Sequence, residues 1–371
     1  MTPRWKCDLN CNRYSYQSNS GRRFHSPLAL ALLVMTLHVP AQSSPSADSL
    51  ERARTLVAAN QLSRANEMLS AIVSHDPNNL AAWEELAQVQ LSQSLNDDAM
   101  KSFETVLKEK PDSPQARAGE VRAGIASALA DRAAGNSDRA LASLARAKGY
   151  VPDSVELLIA FGIQADSMQI YKDAEAALSQ ANKLDPQNAK ALYALAHVEL
   201  DEQKMNDAEA HLRAYLKIKP DDPSAHYGLG HLLYMLSKDD EAKAELERSI
   251  TLQPRQTESY YELGQIALDA HNDALARQYY DRVLASAPDH GGALTGMGVL
   301  AYRAKDYAAA ASYLKQAVTY APDYVTAHRY YAMTLGRLGQ QDQAQRESAL
   351  AQELTEEQEK LRHGYTLRPI P

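Results

Sequence analysis

Histidine and tyrosine recur at a fixed spacing in the second half of the chain. His197 and His231 lie 34 residues apart, and Tyr193, Tyr227 and Tyr261 share that spacing. Imidazole groups bind transition metals, but a metal site takes three or four protein ligands, and no third ligand recurs in this register. We therefore expect no metal site here. Tyrosine combines an apolar ring with a polar tip, which suits a half-exposed binding surface.

Sequence motifs of catalysis are absent from the chain. It contains no H-E-x-x-H zinc motif, no G-x-S-x-G nucleophile turn and no phosphate-binding G-x-x-x-x-G-K-[ST] loop. Gly291, Gly292, Gly296 and Gly298 resemble a glycine-rich phosphate loop, but no strand precedes them, and close helix packing explains them better. We therefore expect a protein that is not an enzyme, with no catalytic residues and no cofactors.

The cysteines and the charge balance exclude several other classes. Cys7 and Cys11 are the only cysteines, so the chain from Asn12 onward has no disulfide, thiol catalysis or cysteine–zinc site. Acidic residues outnumber basic ones by 47 to 39, for a formal net charge of −8. Phosphate groups and anionic lipid headgroups bind clustered lysine and arginine. The acidic chain therefore predicts no nucleic-acid partner and no adhesion to anionic membranes.

The first 41 residues have the features of a signal peptide. Arg22-Arg23 precede an apolar run from Pro27 to Leu37, which is much shorter than the roughly 20 residues that span a bilayer. Val39-Pro40-Ala41 offers small residues for cleavage after Ala41. The pattern predicts a protein exported to the bacterial periplasm or cell envelope, with no stable membrane span after cleavage. The long segment before the apolar run leaves open an uncleaved signal anchor.

Proline and alanine repeat with a 34-residue period along the rest of the chain. The prolines are Pro77, Pro111, Pro152, Pro186, Pro220, Pro254, Pro288 and Pro322. Every interval is 34 except the one of 41 before Pro152, and an alanine stands twelve residues before each proline. Ala344 continues the alanine series by one more step. Such a period is typical of helix–turn–helix units stacked into a solenoid.

The residues in this register resemble the tetratricopeptide-repeat (TPR) family. The unit 80–113 carries the family pattern in Trp83, Leu86, Ala87, Ala99, Phe103 and Pro111. Leu229-Gly230 and Leu263-Gly264 supply its leucine–glycine step elsewhere, whereas the family's first-helix tyrosine is replaced, for example by Glu199 and Leu233. The resemblance implies an all-α fold, a right-handed TPR superhelix (α-solenoid) of about nine helix–turn–helix repeats.

The period divides the chain into a signal peptide (1–41), a polar linker (42–45), the array (46–358) and a C-terminal cap and tail (359–371). The predicted units are 46–79, 80–113, 114–154, 155–188, 189–222, 223–256, 257–290, 291–324 and 325–358. The seven extra residues of 114–154 are expected to lengthen its first helix by about two turns. Glu356 stands where a proline is expected, so we expect the last helix to continue through Arg362 and the tail from His363 to be extended.

Two local expectations follow from the same register. Only glycine or alanine lets two helix backbones approach closely, so Gly230, Gly264 and Gly298 should face Ala242, Ala276 and Ala310 of their partner helices, respectively. Polar residues directly after the prolines, such as Asp221 and Asp289, suit the turn and are expected to cap the next helix.

The family resemblance further implies that the first helices of the units line a concave groove. Carried over position by position, it assigns the partner-binding groove to Tyr193, His197, Tyr227, His231, Tyr234, Tyr261, Gln265, Tyr302 and Arg329. We expect an extended protein or peptide partner to pack against these rings and hydroxyls. The alternative is that duplicated repeats inherit duplicated residues, and that the tyrosine rings only fill the joints between repeats.

The sequence thus predicts a non-catalytic extracytoplasmic scaffold or adaptor. The alternative function is a carbohydrate-binding or envelope-polysaccharide export module, in which the tyrosines stack on sugars. Salt would distinguish them, because a basic peptide bound by an acidic protein is screened by salt, whereas a neutral glycan is not.

Overall fold

The computed structural model describes residues 45–364. The predicted signal peptide and most of the polar linker lie outside the described residues, and so does the segment 365–371. The chain divides into two compact units, Met1–Pro45 and Ser46–Pro371, and the described residues belong to the second apart from Pro45. No helix within the described part is long and apolar enough to cross a membrane.

The described residues form eighteen helices and no strand. The first helices of the successive pairs are α1 (Pro45–Ala58), α3 (Leu80–Ser92), α5 (Pro114–Ala133), α7 (Val155–Ser167), α9 (Ala189–Asp201), α11 (Pro223–Met235), α13 (Thr257–Asp269), α15 (Gly291–Arg303) and α17 (Val325–Arg337). The second helices are α2 (Leu62–His75), α4 (Asn96–Glu109), α6 (Ser137–Tyr150), α8 (Tyr171–Leu184), α10 (Met205–Ile218), α12 (Asp239–Leu252), α14 (Asp273–Ser286), α16 (Tyr307–Tyr320) and α18 (Gln341–Gly364). The predicted all-α superhelix of helix pairs is confirmed.

Helix pairs stack so that the odd-numbered helices form one layer. From α3 to α17, each first helix packs most extensively against the second helix of its own pair, as α11 does with α12 and α15 with α16. First helices also contact each other across units, for instance α7 with α9, α11 with α13 and α13 with α15. We call the odd-numbered helices the first-helix layer. This layer carries every residue that the sequence assigned to the partner-binding groove.

The turns within the pairs share one backbone conformation. Their middle residue has a left-handed φ, such as +61° at Ser94 and +57° at Ser237, with glycine at Gly135 and Gly339. The N–H of the next residue then bonds a carbonyl five residues back, as Leu95 bonds Gln90 at 2.9 Å. This bond satisfies a carbonyl that the helix end leaves without a partner. Seven of these turns use a residue other than glycine in a conformation that glycine adopts most easily.

Six of the eight turns between pairs place a capping side chain two residues after the proline, whereas Gln256 and Tyr324 make no such bond. The side chains of Asn188, Asp222 and His290 accept a bond from a backbone N–H of the first helical turn that follows. The expectation that Asp221 and Asp289 act as caps was therefore wrong by one residue. The residue directly after proline lies within the turn, and the next residue has the extended backbone that a cap requires.

Some first helices also anchor themselves to the preceding proline carbonyl. Trp83 Nε1 donates to the carbonyl oxygen of Pro77 at 2.9 Å, and the Nε2 atoms of His226 and His328 make the equivalent 2.9 Å bonds six residues back. Each histidine also places its Nδ1 on a glutamate of the second helix of its own pair, Glu245 and Glu347, respectively. These two histidines therefore hold the joints between units.

Where the two helices of a pair cross closely, the glycines do not face the alanines in the way that was expected. Ala242, Ala276 and Ala310 are fully buried, but a Cβ atom at Gly230, Gly264 or Gly298 would chiefly meet the side chain one turn further along the partner helix. Those side chains are Leu246, Tyr280 and Leu314, and a Cβ would lie 2.5–2.7 Å from their nearest atoms. The glycines thus make room for a large side chain rather than for the alanine itself.

Helix α5 contains the seven extra residues and has 20 residues where α7 has 13. Near its start, Gly119 lies against the Phe103 ring of α4, in the same way that Gly296 of α15 lies against Tyr280 of α14. Further along, Gly124 lies against Ala147 of α6. The helix therefore packs on both neighbours, and its added turns contain the fully buried Glu120.

The two ends of the array differ slightly from the predicted bounds. Helix α1 begins at Pro45, the last residue of the predicted linker. Helix α18 has 24 residues and ends at Gly364, so His363 is helical and not part of an extended tail. The run Glu356–Gln358 contains no proline, and nothing therefore interrupts the helix there.

Candidate partner-binding face

The predicted groove residues of α9 take part in contacts with neighbouring helices. The Tyr193 ring lies 5.0 Å from the ring of Tyr215 in α10, centroid to centroid. His197 Nδ1 lies 3.0 Å from Asp166 Oδ2 of α7 and 3.9 Å from Asp201 Oδ2. The Asp166 carboxylate raises the pKa of His197, although burial opposes that shift. Burial raises the pKa of Asp201.

The groove residues of α11 pair with acidic residues of α13. His231 Nδ1 lies 3.1 Å from Glu262 Oε1, and Tyr234 donates its hydroxyl proton to Asp269 Oδ2 at 2.7 Å. Tyr227 is only 7% exposed, and its ring stacks on His231 at 6.1 Å. Burial is the main reason why the pKa values of Tyr227 and Tyr234 are raised. Tyr227 is therefore mostly a packing residue.

Tyr261 and Gln265 belong to a hydrogen-bonded network inside the array. Gln265 donates from Nε2 to the Tyr261 hydroxyl at 2.7 Å and accepts the Tyr280 hydroxyl proton at Oε1, also at 2.7 Å. The hydroxyls of Tyr261 and Tyr324 are 3.4 Å apart, so the network continues to the turn before α17. Burial is the largest cause of the raised pKa of Tyr261. Tyr280 and Tyr324 are not among the residues predicted from the sequence; the glycines that make room for the Tyr280 ring are the signal that could have indicated Tyr280.

The two remaining groove residues lie near the C-terminal end of the array. The Tyr302 ring contacts the rings of Tyr307 and Tyr330 at centroid distances of 5.5 and 6.0 Å. Arg329 is exposed. The predicted groove residues therefore form several separate contact groups, and the tyrosines at the shared repeat position lie partly or largely within the joints between units.

Charge is segregated along the first-helix layer, a feature that was not predicted from the sequence. Helices α7, α9, α11 and α13 together contain seven acidic residues and one lysine. Helices α15 and α17 contain three arginines and no acidic residue. Glu156, Asp201, Glu258 and Asp269 of the acidic part are exposed, whereas Glu199 and Glu262 are buried. The layer thus presents an acidic stretch followed by a basic one.

Three of these exposed acidic residues lie among the predicted groove residues. Asp201 is 3.9 Å from His197, and Asp269 accepts the hydroxyl proton of Tyr234. Glu258 is close enough to Tyr227 to raise its pKa. This arrangement favours a partner that brings positive charge to α9–α13, because complementary charges attract and orient a partner as it approaches.

Family models described as tetratricopeptide repeat match most of the array. One matches residues 56–123, 169–232 and 199–263, a second matches 295–352, and a third matches 257–290. No curated protein in the comparison matches the chain.

Solved structures show the same fold. PilF of Pseudomonas aeruginosa has a TM-score of 0.51 and 22% identity, over 58% of this chain and 99% of PilF. A chain of the APC/C Cut9–Hcn1 hetero-tetramer has a TM-score of 0.50 and 17% identity, over 84% of this chain and 61% of its own length. At these identities the likeness concerns the fold alone.

Proposed function

The chain belongs to the tetratricopeptide-repeat family, and from this premise we propose that it is a non-catalytic scaffold that binds an extended, basic segment of a protein partner along α7–α13. The observation that supports the proposal is the charge of the first-helix layer, with seven acidic residues and one lysine in these four helices. A TPR fold implies protein partners in general, and the charge of the layer supports a basic partner.

The contacts of the layer support a binding mode led by polar groups. Tyr227 is largely buried, and the Tyr261 ring packs against His290 and Gly292, so these rings have little free face on which a sugar or a side chain could stack. The exposed charged groups of these helices are the carboxylates of Glu156, Asp201, Glu258 and Asp269 and the ammonium group of Lys190. Lysine and arginine of an extended segment can reach such carboxylates while the segment backbone stays hydrated.

Fluorescence anisotropy with labelled peptides tests this proposal. We expect a lysine-rich 12-residue probe to bind more tightly than a neutral or glutamate-rich probe of the same length, and the affinity to fall with added NaCl because exposed charges are screened. Changing Asp201, Glu258 and Asp269 together to Asn, Gln and Asn should weaken binding about tenfold, at roughly 0.5 kcal/mol for each exposed pair.

The control variant removes an equal charge from second helices. Asp240, Glu241 and Glu247 of α12 are exposed and lie outside the first-helix layer. Their triple amide variant should bind the lysine-rich probe nearly as the wild type does, apart from the effect of net charge. Equal losses in both triple variants would mean that the probe senses only the net charge, and the proposed face would be wrong.

We also propose that the protein is exported and cut after Ala41. The order of basic, apolar and small residues in 22–41 supports this proposal. N-terminal sequencing of the protein from a cell-envelope fraction should begin at Gln42. A full-length product confined to the cytoplasm would contradict it.

A further inference from the structure

We propose that Asp166, His197 and Asp201 form a binding site for a divalent transition-metal ion such as Zn²⁺, which would join α7 to α9. The proposal does not depend on peptide binding. Within residues 48–359, they are the only group of three histidine, cysteine, aspartate or glutamate side chains whose ligand atoms all lie within 4.8 Å of one another. They come from two units, so only the stacking of the array brings them together.

The two separations from His197 Nδ1 are close to the spacing of ligand atoms around a tetrahedral metal ion. His197 Nδ1 lies 3.0 Å from Asp166 Oδ2 and 3.9 Å from Asp201 Oδ2. Zinc binds histidine nitrogen and carboxylate oxygen at about 2.0–2.2 Å, so ligand atoms in a tetrahedral site are roughly 3.3 Å apart. The two measured separations lie on either side of that value, and small rotations of exposed Asp201 would adjust the longer one.

The hydrogen bonding leaves the potential ligands available. Oδ1 of Asp166 is buried and has no hydrogen-bond partner, and His197 Nδ1 is buried and makes no well-aligned hydrogen bond, although it is ion-paired with Asp166 Oδ2 at 3.0 Å. A buried carboxylate oxygen without a partner is unfavourable by about 1–3 kcal/mol or more. A metal ion among the three side chains would bind the ring nitrogen and neutralise both carboxylates at once.

The donor set selects the kind of ion. One imidazole nitrogen with two carboxylate oxygens suits Zn²⁺ and its neighbours, whereas Ca²⁺ and Mg²⁺ take oxygen ligands only, in larger number. Three protein ligands leave a fourth position for water or for a side chain of a partner. Asp201 is 43% exposed at its side chain, so an ion can enter from solvent.

His231 provides an internal comparison. It occupies the same repeat position as His197, 34 residues later, and its Nδ1 also lies near a carboxylate, Glu262 Oε1, at 3.1 Å. No second carboxylate joins it within the described residues. The two histidines therefore differ chiefly in the number of carboxylates, and only His197 should bind a metal ion.

Isothermal titration calorimetry of the metal-free full chain with ZnCl₂ tests the site. Every sample carries Cys7→Ser and Cys11→Ser, because thiolates bind zinc in their own right. We expect one site that Asp201→Asn and His197→Ala each weaken by at least about 10–100-fold, while His231→Ala leaves it unchanged. With Co²⁺ in place of Zn²⁺, the visible absorption of a tetrahedral site should appear in the wild type and disappear in the Asp201→Asn variant.

Circular dichroism of each variant separates loss of a ligand from loss of the fold. Asp201 is exposed, so its amide variant should keep the wild-type spectrum even if His197→Ala does not. A wild-type chain that binds no Zn²⁺ would overturn the proposal and leave an ordinary histidine–carboxylate ion pair. Binding that is equally strong in the Asp201→Asn variant, or equally lost in the His231→Ala variant, would also overturn it.

Discussion

At the scale of single residues, Glu120 is an unfavourable buried group of the array. Its side chain is fully buried in the added turns of α5, and neither carboxylate oxygen has a hydrogen-bond partner. The pKa of Glu120 is raised from 4.5 to about 8. Burial is the main cause and the nearby Glu104 carboxylate is the second, whereas Arg146 opposes the shift. Arg146 itself pairs with Glu104. At neutral pH Glu120 is therefore mostly protonated in the folded protein.

Changing Glu120 to Gln should flatten the pH dependence of stability. Between about pH 5 and 8 the unfolded chain releases this proton while the folded chain keeps it, so the free energy of unfolding falls as the pH rises, and the loss is complete above pH 8. One such proton is equivalent to about 1.4 kcal/mol per pH unit. Urea unfolding at pH 5 and 8.5 should show a smaller drop for Glu120→Gln than for the wild type. Exposed Glu109→Gln is the control, and parallel curves for wild type and Glu120→Gln would refute the assignment.

The register of the array predicts that tryptophan substitutions at two adjacent residues, Ala242 and Lys243, differ strongly in their effect on stability. Ala242 is fully buried beside Leu246 of its own helix and Gly230 of α11, whereas Lys243 is exposed and 3.8 Å from Glu247. An indole at 242 has no space, so Ala242→Trp should destabilise by about 3 kcal/mol or more, and Lys243→Trp by less than about 0.5 kcal/mol. Thermal melts measure both. Equal melting temperatures would contradict this packing.

At the scale of the elements, α5 shows how a solenoid accepts an insertion. Seven residues make almost two helical turns, so residues after an insertion of seven keep their face to within roughly 20°. Gly119 still meets Phe103 of α4, and Gly124 meets Ala147 of α6. Any other length near seven would turn the second half of α5 away from α6, because each residue rotates the helix by about 100°.

Two deletions in α5 test this explanation. Removing residues 120–126 joins Gly119 to Ser127 and Ala128, which restores a 13-residue helix and keeps the face that packs on α6. Removing only 120–124 rotates that face by about 140°. We expect the seven-residue deletion to unfold cooperatively near the wild-type temperature and the five-residue deletion to lose at least about 3 kcal/mol. Differential scanning calorimetry of both deletion variants measures their stability. Similar losses of stability would show that the packing of α5 depends on its length and not on the direction that its second half faces.

At the scale of the whole molecule, the sequence predicted the elements better than the contacts between units. The 34-residue period of alanine and proline shows where helices cross and end, because those positions need a small residue or a chain break. The period does not show how far each unit turns relative to the next. His197 and His231 share a position, yet the first reaches back to Asp166 of α7 and the second reaches forward to Glu262 of α13. Contacts of this kind depend on the three-dimensional stacking.

The charge pattern of the first-helix layer predicts that the order of charges along a bound segment affects its affinity. The acidic part, α7–α13, is followed by α15 and α17, which contain Arg303, Arg329 and Arg337. A segment that carries lysines at one end and glutamates at the other can match both parts at once, whereas an alternating segment cannot. First helices are about 10 Å apart, so a peptide of about 16 residues in extended form reaches from one part to the other.

Two peptides of identical composition therefore test the pattern. One has a block of six lysines, a neutral spacer and a block of four glutamates; the other has the same residues in alternation. At low salt we expect the block peptide to bind about fivefold to thirtyfold more tightly, from several exposed pairs of 0.2–1 kcal/mol each, and the ratio to approach one as NaCl screens the charges. Arg329→Gln with Arg337→Gln should remove much of the preference, since it neutralises most of the basic part. Equal affinity of the two peptides at low salt would show that a partner senses the total charge of the array and not its order.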